Sequence, residues 1–188
     1  MIGEDMKRVR ILAASLMISI VLLLTGCGST TMLEEYSFGH TQLVAGQSEI
    51  FMMTPFQLGK AGQKVNYDVM YAGSDVHINL LAAAEPAVQA GKERLTPRSL
   101  AEASISELQK TTDITNLQTK ITDTTVNEKP AIAAESTYDA MLKDGKASLV
   151  VKSLFFEDNG QIWYVMYMYR NGDDTGKEVT DYIYGKIK

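Results

Sequence analysis

The sequence predicts an α+β sandwich, in which an antiparallel sheet made of N-terminal hairpins and a four-stranded C-terminal meander is flanked by helices. Three observations carry this. Period-two apolar patterns punctuated by Gly, Asn and Asp recur from Tyr36 onward. Two segments instead carry helical stripes behind capping residues, beginning at Thr96 and Thr175. The order of elements is strands, a helix, a meander and a closing helix, which is an α+β arrangement.

Each element follows from local chemistry. Tyr36 to Val44 and Glu49 to Thr54 are runs of strand formers, separated by Ala45-Gly46-Gln47 and ended by Pro55, and they read as a first hairpin. Val65 to Tyr71 alternates apolar and polar, turns at Ala72-Gly73-Ser74-Asp75 and alternates again over Val76 to Leu81. Ala82 to Arg94, broken by Pro86 and Gly91, reads as a loop with one helical turn. Thr96 and Pro97 then open a helix, with Ser99 and Glu102 as an overlapping capping box. Its stripe is Leu100, Ala101, Ile105 and Leu108.

From Ile114 the period returns to two. Ile114 to Val126 is threonine-rich and β-branched, Asn127-Glu128-Lys129 turns, and Ala131 to Lys143 puts Ile132, Ala134, Tyr138, Ala140 and Leu142 on one face. Asp144-Gly145 and Asn159-Gly160 close tight hairpins into Ala147 to Phe156 and Gln161 to Arg170. The last strand is apolar on both faces, so it is expected to lie centrally with cover on each side. Thr175 with Glu178 is expected to cap a final helix that packs through Val179, Tyr182, Ile183 and Ile187.

Val126-Asn127-Glu128-Lys129-Pro130-Ala131 before a strand, the Gly145-Lys146 hairpin, the aromatic alternation from Gly160 through Tyr169 and the terminal helix together resemble the PsbP/Mog-like superfamily. The resemblance covers roughly Tyr36 to Lys188. It implies an α/β/α sandwich and, since members of that superfamily are mostly accessory or assembly proteins, a domain that binds partners. No catalytic residue carries over from it.

The N-terminus reads differently. Lys7, Arg8 and Arg10 precede an uncharged stretch, Ile11 to Leu24, followed by Thr25, Gly26 and the only cysteine, Cys27. Those 14 residues span about 21 Å as a helix, short of a hydrocarbon core of about 30 Å, and no basic stop-transfer cluster follows. Leu24-Thr25-Gly26-Cys27 resembles the lipobox of bacterial lipoprotein signals. The resemblance implies lipidation of the Cys27 thiol and cleavage between Gly26 and Cys27. The chain then divides into a signal peptide (1–26), a lipidated tether (27–35) and one globular domain (36–188). The alternative is an ordinary export signal that happens to end at a cysteine. Met6 is an alternative start, because Glu4 and Asp5 precede the basic cluster. No aspartate follows Cys27 to retain the protein in an enterobacterial inner membrane.

Composition narrows the function. From Cys27 to Lys188 there are 162 residues, enough for one domain, and setting aside Lys7, Arg8, Arg10, Glu4 and Asp5 leaves 15 basic against 21 acidic residues, a net charge of −6. That balance argues against nucleic-acid partners. A lipidated Cys27 leaves no thiol for a disulfide or thiolate metal site. His40 and His77 are the only histidines and lack further ligands at metal-site spacing. Asn171 to Gly176 has the oxygen ligands of a calcium loop, but Tyr182 stands where a bidentate Glu is needed, so an acidic cap for the final helix is the simpler reading. Nucleophile elbows, paired-histidine metalloprotease motifs and phosphate loops are absent from the sequence.

Trp163, Val165, Tyr167 and Tyr169 are the remaining candidates. On an open sheet face, Trp163, Tyr167 and Tyr169 would form a binding surface for a peptide or apolar ligand; beneath a helix they would be core. Met52, Met53, Met166 and Met168 read as gap-filling core. The expectation is therefore a non-enzymatic accessory or interaction domain without a cofactor. It would be held to a membrane through lipid on Cys27, face the periplasm or exterior, and bind an envelope protein. The alternative is a small-ligand-binding lipoprotein with a pocket between sheet and helix.

Overall fold

The computed structural model describes residue 33 and residues 36–61, 67–142 and 145–188. Leu24 to Cys27 and nearly all of the 27–35 tether lie outside these residues, as do Lys143 and Asp144. The strands are β1 (Gly39–Ala45), β2 (Ser48–Thr54), β3 (Gly59–Lys60), β4 (Val69–Ser74), β5 (Ile78–Pro86), β6 (Ile114–Val126), β7 (Lys129–Leu142), β8 (Gly145–Asp158) and β9 (Gln161–Arg170). The helices are α1 (Pro97–Lys110) and α2 (Asp174–Ile183).

β3 to β9 form an antiparallel seven-stranded sheet in the order β3-β4-β5-β9-β8-β7-β6, and β1 and β2 pair only with each other. The expected meander is the β6 to β9 half of the large sheet. Its hairpins follow their turn chemistry: Asn159 and Gly160 both adopt left-handed backbone, the geometry that matches a two-residue turn to the strands' own twist. β9 runs between β5 and β8 and is buried along Gln161–Tyr169. The three layers follow from this. One face of the sheet packs under Leu100, Ala101, Ile105 and Leu108 of α1. The other packs under Leu43, Ile50 and Met52 of the β1–β2 hairpin, Val179 and Ile183 of α2, and Ile187.

The structure corrects the reading of Ala82 to Arg94 as a loop. Ala82 to Pro86 continue β5, with Ala83 opposite Tyr164 and Ala84 opposite Trp163. Three fully buried alanines face both layers, and their missing volume makes room for those rings. Alanine is a poor strand former, and a strand buried on both faces shows no alternation, so no local pattern marks this strand.

The start of α1 is where the sequence places it, but its capping box differs, and the start of α2 is shifted. Thr96 caps α1, but its reciprocal partner is Ser99, not a Ser99–Glu102 pair: Ser99 N donates to Thr96 Oγ1 at 3.1 Å and Thr96 N donates to Ser99 Oγ at 2.9 Å. At α2 the cap is Asp173, whose carboxylate accepts from Gly176 N at 2.9 Å, while Thr175 lies buried inside the first turn. An acidic cap suits the positive end of the helix. Of the expected α2 stripe, Val179, Ile183 and Ile187 are buried and Tyr182 is 39% exposed at its margin.

Gly176 sets how closely α2 approaches the sheet. A Cβ there would lie 2.7 Å from the His77 carbonyl oxygen and 2.9 Å from Tyr169 Cβ. Gly176→Ala is therefore expected to push α2 off β5 and β9 and lower stability by about 1–3 kcal/mol, read from urea unfolding midpoints. An unchanged midpoint would contradict this packing.

Candidate functional site

The aromatic stripe is not an open binding surface. Trp163 and Tyr167 are 0% exposed and Tyr169 is 5% exposed. The sequence showed an aromatic face without showing that the β1–β2 hairpin folds back over it, and that cover makes these residues core. Trp163 is also hydrogen-bonded from inside. Its Nε1 donates to Ser48 Oγ at 2.8 Å, Ser48 Oγ donates to Asp158 Oδ2 at 2.6 Å, and Lys129 Nζ reaches Asp158 Oδ1. Burial pushes the Asp158 carboxyl up, but the Lys129 and Ser48 bonds outweigh it and hold the group below its ordinary range. This relay is a fastening that runs from the buried Trp163, Ser48 and Asp158 out to the half-exposed Lys129, with each polar group used by the next.

The histidines are separated. His40 lies exposed in β1 opposite Met53. His77 lies in the turn before β5, not inside the strand, and its Nδ1 is 3.0 Å from Asp173 Oδ2. Asp75 Oδ1 accepts from the backbone N–H of His77 and of Ile78, each at 2.8 Å. The acidic Asn171 to Gly176 turn thus caps α2 and ties it to the β4–β5 turn through Asp173. Among the described residues no three or more His, Cys, Asp or Glu side chains gather into a group that could hold a metal ion.

The group the sequence did not reveal lies on the α1 side of the sheet. Tyr138 of β7 and Tyr164 of β9 are buried and Tyr67, just before β4, is partly buried; Tyr164 lies close enough to act on each of the other two hydroxyls. Glu85 of β5 also acts on Tyr67. Phe155 stacks on Tyr164 at 4.9 Å between ring centroids. Burial raises all three phenols, Tyr164 to about 12 with Ser153 acting weakly in the other direction, so all stay protonated. The Tyr164 hydroxyl is buried without a partner of normal hydrogen-bond geometry among the described residues. Burial also raises Glu85 to about 7; Gln89, whose Nε2 donates to Glu85 Oε2 at 3.3 Å, and Lys92 pull it down, and Asp68 pushes it up.

Phenol donors beside a carboxyl that changes charge near neutrality can recognise a polar group. Each tyrosine was visible as an ordinary strand residue. Their convergence depends on β9 pairing with both β5 and β8, a long-range fact that no local pattern encodes.

No family model and no curated protein matches the chain. Its structure is similar to that of the cyanobacterial PsbP protein CyanoP from Synechocystis sp. PCC 6803, with a TM-score of 0.53 at 11% identity over 88% of this chain and 98% of that one. LpqN of Mycobacterium tuberculosis, described as involved in cell envelope biogenesis, aligns with a TM-score of 0.49 at 9% identity over 83% and 93% of the two chains. A Pseudomonas aeruginosa protein of unknown function aligns with a TM-score of 0.40 at 12% identity over 74% and 88%. The likeness to CyanoP shows a PsbP-like fold, in agreement with the α+β sandwich read from the sequence. Among the described residues no helix is long and apolar enough to cross a membrane.

Glu85 makes stability pH-dependent in a defined direction. A carboxyl raised from 4.5 to about 7 on folding stabilises the fold while protonated, and that contribution is lost as pH rises from about 4.5 through about 7. Discounted for its partial exposure, the loss is about 2 kcal/mol. Asp139, Asp158 and Asp181 have lowered values and act in the opposite sense at more acid pH, outside this window. Urea unfolding at pH 5 and pH 8 is expected to give a lower midpoint at pH 8, with Glu85→Gln removing most of the difference. An equal difference in both proteins would contradict the assignment.

Proposed function

We propose that the chain is a lipid-anchored protein of a bacterial cell envelope, carrying a non-enzymatic domain that binds another envelope component. The observation that carries this reading is Leu24-Thr25-Gly26-Cys27 behind a basic and then apolar segment. On this reading residues 1–26 are removed, Cys27 carries the lipid, residues 27–35 are the tether and residues 36–188 form the domain. One acyl chain binds a bilayer marginally and two or more hold it firmly, at about 0.8 kcal/mol per buried methylene. Support for a non-enzymatic role comes from the use of the reactive side chains: His77 is engaged by Asp173, and Asp158 by Ser48 and Lys129. The acidic balance of the chain favours neither nucleic acid nor phosphate-rich partners.

A second reading is favoured by one observation. The buried Tyr164 hydroxyl, which has no partner of normal hydrogen-bond geometry among the described residues, would with Tyr67, Tyr138 and Glu85 nearby suit a small polar group held between α1 and the sheet. This is the small-ligand-binding lipoprotein.

Cys27→Ser is expected to leave a precursor at its unprocessed mass without acyl labelling, measured by mass spectrometry and palmitate incorporation. A variant processed to mature size would overturn the anchor. Native mass spectrometry separates the two readings. A small ligand bound to the wild-type protein and lost in Tyr164→Phe is the outcome expected of the second, and a ligand-free wild-type protein counts against it.

A further inference from the structure

The layer formed by the β1–β2 hairpin, α2 and the C-terminal segment has an inner and an outer side. Leu43, Ile50, Met52 and Ile187 point inward. Strand alternation therefore sends Val44 and Phe51 outward, where they are 44% and 40% exposed. Lys188 pairs with Phe51 through two backbone hydrogen bonds of 2.8 and 2.9 Å, and Met53 N donates to Lys186 O at 2.9 Å. With Ile187 turned inward, Lys186 and Lys188 flank it on the exposed side. Lys186 Nζ lies 3.5 Å from the centre of the half-wet Tyr182 ring, which packs on Phe38 at 4.5 Å between centroids. Phe38 in turn packs on Tyr36 at 5.9 Å. Val44, Phe51 and Tyr182 are three of the seven large apolar side chains left exposed among the described residues. Glu49 of the hairpin is bonded by Gln42, and of the exposed α2 acids Asp174, Glu178 and Asp181, the last is paired with Lys152 and Lys177.

The chain enters the domain on this same face, at Tyr36 and Phe38. Nine Cα–Cα steps separate Cys27 from Tyr36, a reach of at most about 32 Å when fully extended. A domain of this size has a radius of gyration of about 15 Å and is therefore roughly 40 Å across. An anchor at Cys27 cannot carry the opposite, α1-covered face round to the bilayer, but it brings the hairpin face directly against it. The side chains suit that position. Tyrosine rings place an apolar body in the interface and a hydroxyl in water, and lysines extend their ammonium groups toward anionic phosphates.

We propose that the outer face of the hairpin–α2 layer, with Phe38, Val44, Phe51, Tyr182, Lys186 and Lys188, rests on the bilayer that holds the anchor. The α1 face is thereby presented away from the membrane. This inference rests on the lipid-anchored reading of Cys27. The contact is interfacial and shallow: among the described residues no helix is long and apolar enough to cross a membrane, and the apolar side chains offered here are few.

The test uses the full-length protein purified from membranes, in vesicles of phosphatidylethanolamine and phosphatidylglycerol. With Cys27 acylated, an introduced cysteine is the only free thiol. Phe51→Cys reports on the proposed contact face, Val44→Cys is a second reporter there, and Gln109→Cys on α1 is the water-facing control. Each is labelled with an environment-sensitive fluorophore and quenched with aqueous iodide. At positions 51 and 44 quenching is expected to be at least threefold weaker than at position 109, and K186E/K188E is expected to restore at least half of it. Flotation of the vesicles reads the anchor independently. Failure to float overturns the anchor and this proposal together. Flotation with equal quenching at all three positions overturns the bilayer contact alone and makes the face a protein-binding surface instead.

Discussion

The structure depends on one constraint: β5 and β9 lie side by side at the centre of a seven-stranded sheet, and both are apolar on both faces. A strand in that condition is stable only with a layer on each side, because every uncovered Leu, Val or aromatic side chain forfeits about 1.5–3 kcal/mol of burial. α1 supplies one layer. The other is assembled from three pieces that are far apart in sequence: the β1–β2 hairpin, α2 and the segment around Ile187. Such a layer needs fastening. The Trp163–Ser48–Asp158–Lys129 relay fixes the hairpin's inner corner, and the Asp173–His77 contact fixes the start of α2. These polar groups sit where the layers join and not where they open.

What could be read from the sequence follows the range of the interactions. The β6 to β9 meander was legible because its hairpins are local, with Asn159-Gly160 specifying a turn and period two specifying a face. The face of α1 was legible for the same reason. The misread pieces each depended on distant partners. Ala82 to Ala84 become strand because Tyr164 and Trp163 stand opposite. Asp173 rather than Thr175 caps α2 because the β4–β5 turn brings His77 to the same carboxylate. The aromatic side chains of β9 could be read as open surface or as core, and the hairpin that makes them core lies more than a hundred residues upstream.

The candidate site was illegible for a related reason. Tyr67, Tyr138 and Tyr164 come from three separate strands or their margins, and Glu85 from a segment that reads as loop. In an unfolded chain none of them differs from a solvated tyrosine or glutamate; burial in common gives them perturbed protonation. The N-terminal signal is the opposite case. The pattern from Lys7 to Cys27 lies in contiguous residues, so it is legible in the sequence without any fold.

The sheet order has a consequence for how the molecule is made. β5 ends at Pro86 and β9 begins only at Gln161, so the central seam cannot close until almost the whole chain is available. Loops of this length raise contact order and slow the formation of the core. A chain emerging N-terminus first therefore stays unlocked until its last strand arrives. On the lipid-anchored reading proposed above, such late locking would keep the polypeptide unfolded for passage through a membrane pore.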